Sequence, residues 1–283
     1  MKKVLLSLTF GLVNLFVFGG GVNDNAKRAA EIQQLMWQKS GKEFSITTTP
    51  EKWNKESAVI IAKDTRLSYH KAPIVSNLKY GRFIHERVKL LSNSAIEEYS
   101  EFSIPGSGSI GKYSFSFYAG FKVIKPSGEE TIISLDDMVK ENAELNNLRL
   151  DIFKLAIPDL EVGDIIDYYT VEERVISLAA SLKYHNFDPA IFELNDNYPI
   201  MKQRIAFDVL RRCFINLKTF NGAPEFKLTK DEENDRNRYE LVDVDRERVD
   251  DVLWLYKYRE IPTVKFKVTY ASPAVTSMAS RIT

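Results

Sequence analysis

The strongest pattern in the chain is an alternation of apolar and polar side chains between Tyr113 and Val123. Tyr113, Phe115, Phe117, Ala119, Phe121 and Val123 share one parity, while Ser114, Ser116, Gly120 and Lys122 fill most of the other. A two-residue period is that of a strand with one dry face. Lys125-Pro126-Ser127-Gly128 follows as turn chemistry, and Glu130 to Leu135 reads as the return strand of a hairpin. Ser57 to His70 is rich in β-branched and aromatic residues, and Arg82 to Leu91 is strand-like. Further strands are predicted at Asp164 to Val171, Gln203 to Leu210, Phe214 to Phe220, Arg238 to Val244 and Val264 to Tyr270. Asn221-Gly222 marks a tight turn between two of them.

Helical periodicity is confined to two places. Asp24 can cap a helix whose apolar positions Ala29, Ile32, Leu35 and Met36 fall at helical spacing, with Ser40-Gly41 as its stop. A weaker helical pattern runs from Asp136 to Leu148. Strands so rarely separated by helices argue against a doubly wound parallel sheet. The expected fold is therefore mainly β, a large antiparallel β-sandwich with an N-terminal helix and few short helices. The run Lys230 to Arg238 carries both signs of charge and is expected as an exposed loop between strands.

The start of the chain has a different pattern. Met1-Lys2-Lys3 precedes an apolar run from Val4 to Phe18, which ends in Gly19-Gly20-Gly21. A basic start, a short apolar stretch and small residues are what the secretory machinery reads. The run is shorter than the ~20 residues that span a bilayer. A signal peptide over residues 1–21 is expected, cleaved after Gly21, and the only cysteine, Cys213, is not placed for lipidation. This predicts an exported protein, periplasmic or extracellular in a bacterium and not a lipoprotein, with no membrane span after cleavage. The remainder divides into a helical segment over 22–45, one β-sandwich domain over 46–275, and a tail or the start of a further domain over 276–283.

Composition narrows the function mainly by exclusion. The 283 residues carry 39 basic and 39 acidic side chains, so no net basic excess points to nucleic acid or to an anionic membrane surface. A lone cysteine excludes an intrachain disulfide framework and a multi-cysteine zinc module. Cys213 shares strand parity with Ile215 and Leu217, so it reads as a buried small apolar side chain rather than a nucleophile. The three histidines, His70, His85 and His185, lie far apart in sequence, and His85 reads as a surface or edge residue amid charges.

His185 and Asp188 could ligate one ion, but a metal site needs three or four ligands. Asp243, Asp245, Asp250 and Asp251 lack the glycine of a helical calcium loop and read as a solvated acidic loop. Gly106-Ser107-Gly108-Ser109-Ile110-Gly111 resembles a nucleophile elbow superficially, yet the glycine spacing is wrong and Pro105 suggests a flexible loop. Phosphate-cradling loops are absent. No catalytic residue, cofactor site or metal site is assigned.

Several segments together resemble the uncharacterised β-rich domain that precedes the transglutaminase-like core in bacterial cell-envelope proteins. The strongest is Ile157-Pro158-Asp159-Leu160-Glu161-Val162-Gly163-Asp164-Ile165-Ile166-Asp167-Tyr168. Glu56 to Ile60, His85 to Tyr99, Lys125 to Gly128, Asp196 to Ile200 and Arg259 to Pro262 support it in order and rough spacing over about residues 50 to 270. Gly163 marks a turn, Asp164 can bond the local backbone, and Tyr198-Pro199 leads into a strand by forcing extension before proline. The resemblance implies a module that leaves thiol chemistry to a following domain, whose cysteine, histidine and aspartate triad neither Cys213 nor His185 matches. The expectation is a non-catalytic accessory or binding module, not an enzyme, whose partner is an envelope protein, peptide or glycan, or a transglutaminase-like domain. The alternatives are an enzyme acting on an envelope glycan through paired carboxylates and a protein-interaction scaffold.

Overall fold

The computed structural model of the protein describes residues 22–71, 77–145, 148–177, 184–211, 213–249 and 257–271. Residues 1–21, where a signal peptide is expected, and 276–283, expected as a tail or the start of a further domain, lie outside the described residues. The described chain opens with helix α1 (Val22–Gln33), which continues as a wider turn over Gln34–Gln38. Strands β1 (Ala58–Lys71) and β2 (Asn77–Leu90) follow, then helix α2 (Asn93–Tyr99) and strands β3 (Glu101–Pro105), β4 (Gly108–Ile110), β5 (Tyr113–Ile124) and β6 (Glu130–Ile132). Next come β7 (Val139–Leu145), β8 (Leu148–Ala156), β9 (Ile165–Ser177), β10 (Tyr184–Asn186), β11 (Ala190–Glu193) and β12 (Ile200–Leu210). The series ends with β13 (Cys213–Phe220), β14 (Lys227–Asp231), β15 (Arg236–Arg246), the short helix α3 (Lys257–Glu260) and β16 (Thr263–Ala271).

The fold is mainly β. A nine-stranded sheet in the order β14-β15-β12-β1-β2-β9-β5-β4, with β6 beside β5, forms the body. Its pairs are antiparallel except β1 with β12, which run parallel with Ile60 opposite Ile200. That pair is the one departure from the all-antiparallel expectation. Alternation decides the two faces of this sheet. Leu67, Tyr69, Leu78, Ile176, Phe207 and Val209 point to one face and meet Phe266, Val268 and Tyr270 of the smaller sheet built on β16. Phe207 stacks on Phe266 at 4.0 Å and on Tyr239 at 4.6 Å between ring centroids. Farther along the same face, Ala119, Phe121 and Val123 pack on Ile104 and Leu155 of the three-stranded sheet β3-β8-β7.

The opposite face is covered by the N-terminal segment. Ile32 and Met36 of α1 and its extension are fully buried against Tyr169 and Val171, as their helical spacing requires. Asp24 lies inside this helix and not before it, so it is not the cap that the periodicity suggested. Gly120 lets the Tyr169 ring lie directly across β5, where a Cβ would come within 2.5 Å of that ring.

Two local expectations are corrected. Asp136 to Leu148 is not helical: Leu135–Asp137 is one 3-10 turn and Val139–Leu145 is a strand held by β8, with Lys154 between Glu101 and Glu141. Pairing across the sheet overrides a weak local preference there. The Gly106 to Gly111 stretch is ordered, because β4 pairs with β5 and the backbone N–H of Phe117 donates to Ser107 Oγ at 2.9 Å. Lys230 to Arg238 is, as expected, an exposed connection between strands, the tip of the β14–β15 hairpin with its adjoining strand ends, and the Asn234 N–H donates to Asp231 across it.

The turns match their chemistry. Gly128 at φ +88° closes the β5–β6 hairpin onto the Lys125 carbonyl, and Asn221 and Gly222, both at positive φ, join Phe220 to Ala223. Ahead of β9, Gly163 takes φ +103° and Asp164 accepts from the Glu161 N–H and from Lys125 Nζ, each at 2.8 Å. Strand β12 begins directly after Tyr198-Pro199.

Candidate functional site

A cleft of about 260 Å³ opens on the main sheet beside β10 and β11. Its floor is two cross-strand rows: Leu67, Arg82 and Glu172 in one, Tyr69, Tyr80 and Arg174 in the other. Its wall is the stretch His185 to Phe192. There β10 and β11 both pair with β16, and Asp188-Pro189 interrupts them, since proline has no N–H to continue the ladder. The interruption carries Asp188 out over the floor.

The cleft is aromatic on its sides and charged along its middle. Tyr69 lies edge-on to Phe187 at 4.9 Å and tilted to Tyr80 at 5.4 Å, and His185 is edge-on to Phe187 at 4.8 Å. The Arg174 guanidinium sits 5.6 Å from the Tyr80 ring centre, donates through Nε to Glu172, and reaches Asp188 at 3.5 Å. One guanidinium thus occupies an oxygen of each carboxylate. Arg82 is different: it lines the cleft, is exposed, and makes no hydrogen bond or ion pair with any described residue. Burial, with help from Lys112, pushes the His185 imidazole below its ordinary pKa, partly countered by Asp188, so it is neutral at pH 7. Burial pushes the Tyr69 phenol well up and the Tyr80 phenol up, keeping both protonated and able to donate.

The residues singled out in the sequence are dispersed. Of them, His185 and Asp188 alone share this cleft, and no group of three metal-ligating side chains occurs among the described residues. Cys213 sits half-buried at the start of β13 against the core between the main sheet and the β16 sheet. His70 lies at the far end of β1. His85 is not a surface residue: it is fully buried, stacked on Phe44 at 3.8 Å and hydrogen-bonded to Asp167 at 2.8 Å. Arg87 closes that group by donating to Asp167 and to the Phe44 carbonyl. A lid of N-terminal chain therefore seals the His85–Asp167 pair from solvent.

The acidic run is not one loop. Asp243 is buried between Gln203 and a two-pronged Arg246, Asp245 pairs with Lys52, and Asp250 and Asp251 lie outside the described residues. Ser109 Oγ bonds Ser114 Oγ within the β4–β5 hairpin, with no base beside it in these contacts.

Sequence reasoning missed Tyr69, Tyr80, Arg82, Glu172 and Arg174. A signal existed. In β2, Leu78, Tyr80, Ile84 and Val88 share the core parity and Arg82 and Glu86 interrupt it; Glu172 and Arg174 interrupt β9 in the same way. Charges on the core parity mark either a buried ion network or a cleft, and both occur. Glu86 takes the Tyr168 hydroxyl at 2.6 Å and Lys63 at 2.9 Å, and Lys63 also holds Asp196 at 2.8 Å. Burial alone would lower the Lys63 pKa, but these carboxylates raise it well above the ordinary lysine value.

No protein-family profile and no curated protein matches the chain. Among solved structures, it is similar to one from Parabacteroides distasonis ATCC 8503 that is named provisionally as a protease. The TM-score is 0.58 at 13% identity over 77% of this chain and 41% of that one. This likeness establishes a shared fold, and this chain spans less than half of that neighbour's length. Legionella pneumophila aminopeptidase A, solved with aspartic acid, aligns at a TM-score of 0.34 and 8% identity over 76% of this chain and 21% of its own, which carries no argument.

Proposed function

We propose that the protein is a non-catalytic, exported accessory or binding module of the kind its resemblance to the N-terminal domain of transglutaminase-like envelope proteins implies. The observation that carries this reading is where its reactive groups are used. Cys213 packs toward the core, and His85 with Asp167 is sealed beneath Phe44, so both serve the fold. Among the described residues there is also an accessible cleft of aromatic and hydrogen-bonding side chains, which supports a ligand-binding role. The purified chain assayed with peptidase and acyl-transfer substrates is expected to give background rates. Turnover abolished in Cys213→Ala would overturn the reading. Export is tested by the mass of the mature protein, expected to lack residues 1–21.

A second reading, hydrolysis of an envelope glycan, has one observation in its favour: Glu172 and Asp188 face the same cleft. Paired carboxylates are the machinery of that reaction. Arg174 bridges them, however, and would have to move aside. Release of reducing sugar from an envelope glycan, lost in Glu172→Gln, would favour it over the binding role.

A further inference from the structure

We infer that the cleft between the main sheet and the β10–β11 wall binds a free carboxylate, that of a peptide C-terminus with an apolar last side chain, and that Arg82 is its charged partner. This rests on the binding-module reading and names its ligand class. Arg174 already serves Glu172 and Asp188, whereas Arg82 lines the cleft without an acceptor among the described residues. A planar guanidinium offers two parallel donors that match a carboxylate. Tyr69 and Ile176 of the main sheet and Phe187 of the wall supply an apolar surface in the same cleft, fit for a hydrocarbon side chain.

Charge selects among anions. Arg82 and Arg174 balance Glu172 and Asp188 in the cleft, so a single carboxylate leaves one net negative charge there, whereas a phosphate dianion or polyanion leaves two or more. The same carboxylates, together with Asn186, whose side-chain oxygen already accepts from Thr269, suit the amide N–H and C=O groups of a peptide. The cleft's 260 Å³ is small for a ligand pocket, in keeping with one terminal residue and its neighbour.

The test is a titration of the full chain with N-acetyl-alanyl-leucine, followed by calorimetry and by NMR shifts of cleft residues. The same peptide as its C-terminal carboxamide, N-acetyl-glutamate α-amide and glucuronate are run in parallel. The free acid is expected to bind, and the carboxamide to bind roughly 10- to 100-fold more weakly, the worth of a charge-assisted pair. Arg82→Gln should lose affinity for the free acid by a similar factor and abolish the difference between acid and amide. Because Arg82 is exposed, that variant is expected to unfold at the wild-type temperature; the acid-to-amide ratio of the wild type reads the same point without a variant. Equal binding of acid and amide, an unchanged Arg82→Gln, or no cleft shifts at millimolar peptide would overturn the inference. Tighter binding of glutamate amide or glucuronate than of the peptide would reassign the carboxylate to a side chain or an acidic sugar and overturn the terminal assignment. Cleavage of the peptide that disappears in Cys213→Ala would overturn the non-catalytic reading separately, since the acid-to-amide ratio remains measurable in that variant.

Discussion

Gly120 shows how one missing carbon shapes this protein. The Tyr169 ring lies where its Cβ would be, and Trp37 holds that ring edge-on from the other side at 5.2 Å. Gly120→Ala is expected to cost about 1–3 kcal/mol, the range for overpacking a filled site, read as a lower urea midpoint. Lys63 is the converse case, a charge that the core needs. Removing it leaves Glu86 buried beneath Tyr168 without its cation, so Lys63→Met should destabilise by about 2–4 kcal/mol. Adding Glu86→Gln to that variant should recover part of the loss, which a double-mutant cycle would measure. Some of this chemistry is legible locally. The positive φ of Gly163 and the bond from the Glu161 N–H to the Asp164 carboxylate are local, and those roles follow from the sequence. His85 is the opposite: its partners Phe44 and Asp167 lie 41 residues before it and 82 after, so a charged neighbourhood in sequence misleads.

Among elements, the N-terminal helix was readable because its apolar spacing has one physical use, to cover a sheet. Met36→Ala, at a fully buried position against Tyr169 and Val171, is expected to cost about 2–5 kcal/mol. Arg28, held by Glu173 across the same junction, is half-exposed, and Arg28→Ala should cost no more than ~1 kcal/mol. Strand β7 was illegible for the same kind of reason. Its conformation comes from pairing with β8, and nothing within Val139–Leu145 announces that partner. The charged residues on the core parity of β2 and β9 were visible as irregularities. Their meaning was not, since it takes β10 and β11 to turn that strip of sheet into a cleft floor.

Across the whole molecule, the main sheet joins early and late chain. The parallel pairing of β1 with β12 and the packing of Phe207 on Phe266 both depend on it. Phe207→Ala should therefore loosen two sheets at once, at about 3–5 kcal/mol, with one cooperative transition retained. Acid should act through the same packing. Burial pushes His70 below its ordinary value, aided by Arg236 and Lys79 and opposed by Asp208, and burial with Lys112 does so at His185. The unfolded chain then takes up these protons first, so stability is expected to fall as pH drops below about 6.5 toward the folded values. Asp64 adds a second loss at lower pH. Its burial would raise its pKa, but hydrogen bonds and charge from Arg204 and Arg66 more than offset that and hold it low, so its contribution disappears as pH falls below its unfolded value near 3.8. Thermal midpoints between pH 8 and pH 3 should show both steps, and the first should flatten in a His70→Gln, His185→Gln double variant.

By itself the sequence determined the mainly β character, the covering N-terminal helix and the turns at Lys125 to Gly128 and Asn221-Gly222. Each of these is set by interactions within a few residues: a repeat of two, a repeat of 3.6, or a backbone angle that glycine or asparagine tolerates. Tertiary structure alone decided that β1 and β12 run parallel, that His85 is sealed inside and that Arg82 lines a cleft without a partner among the described residues. Those outcomes depend on which strands become neighbours, and a strand's pattern states which face it buries without naming the strand that will lie beside it.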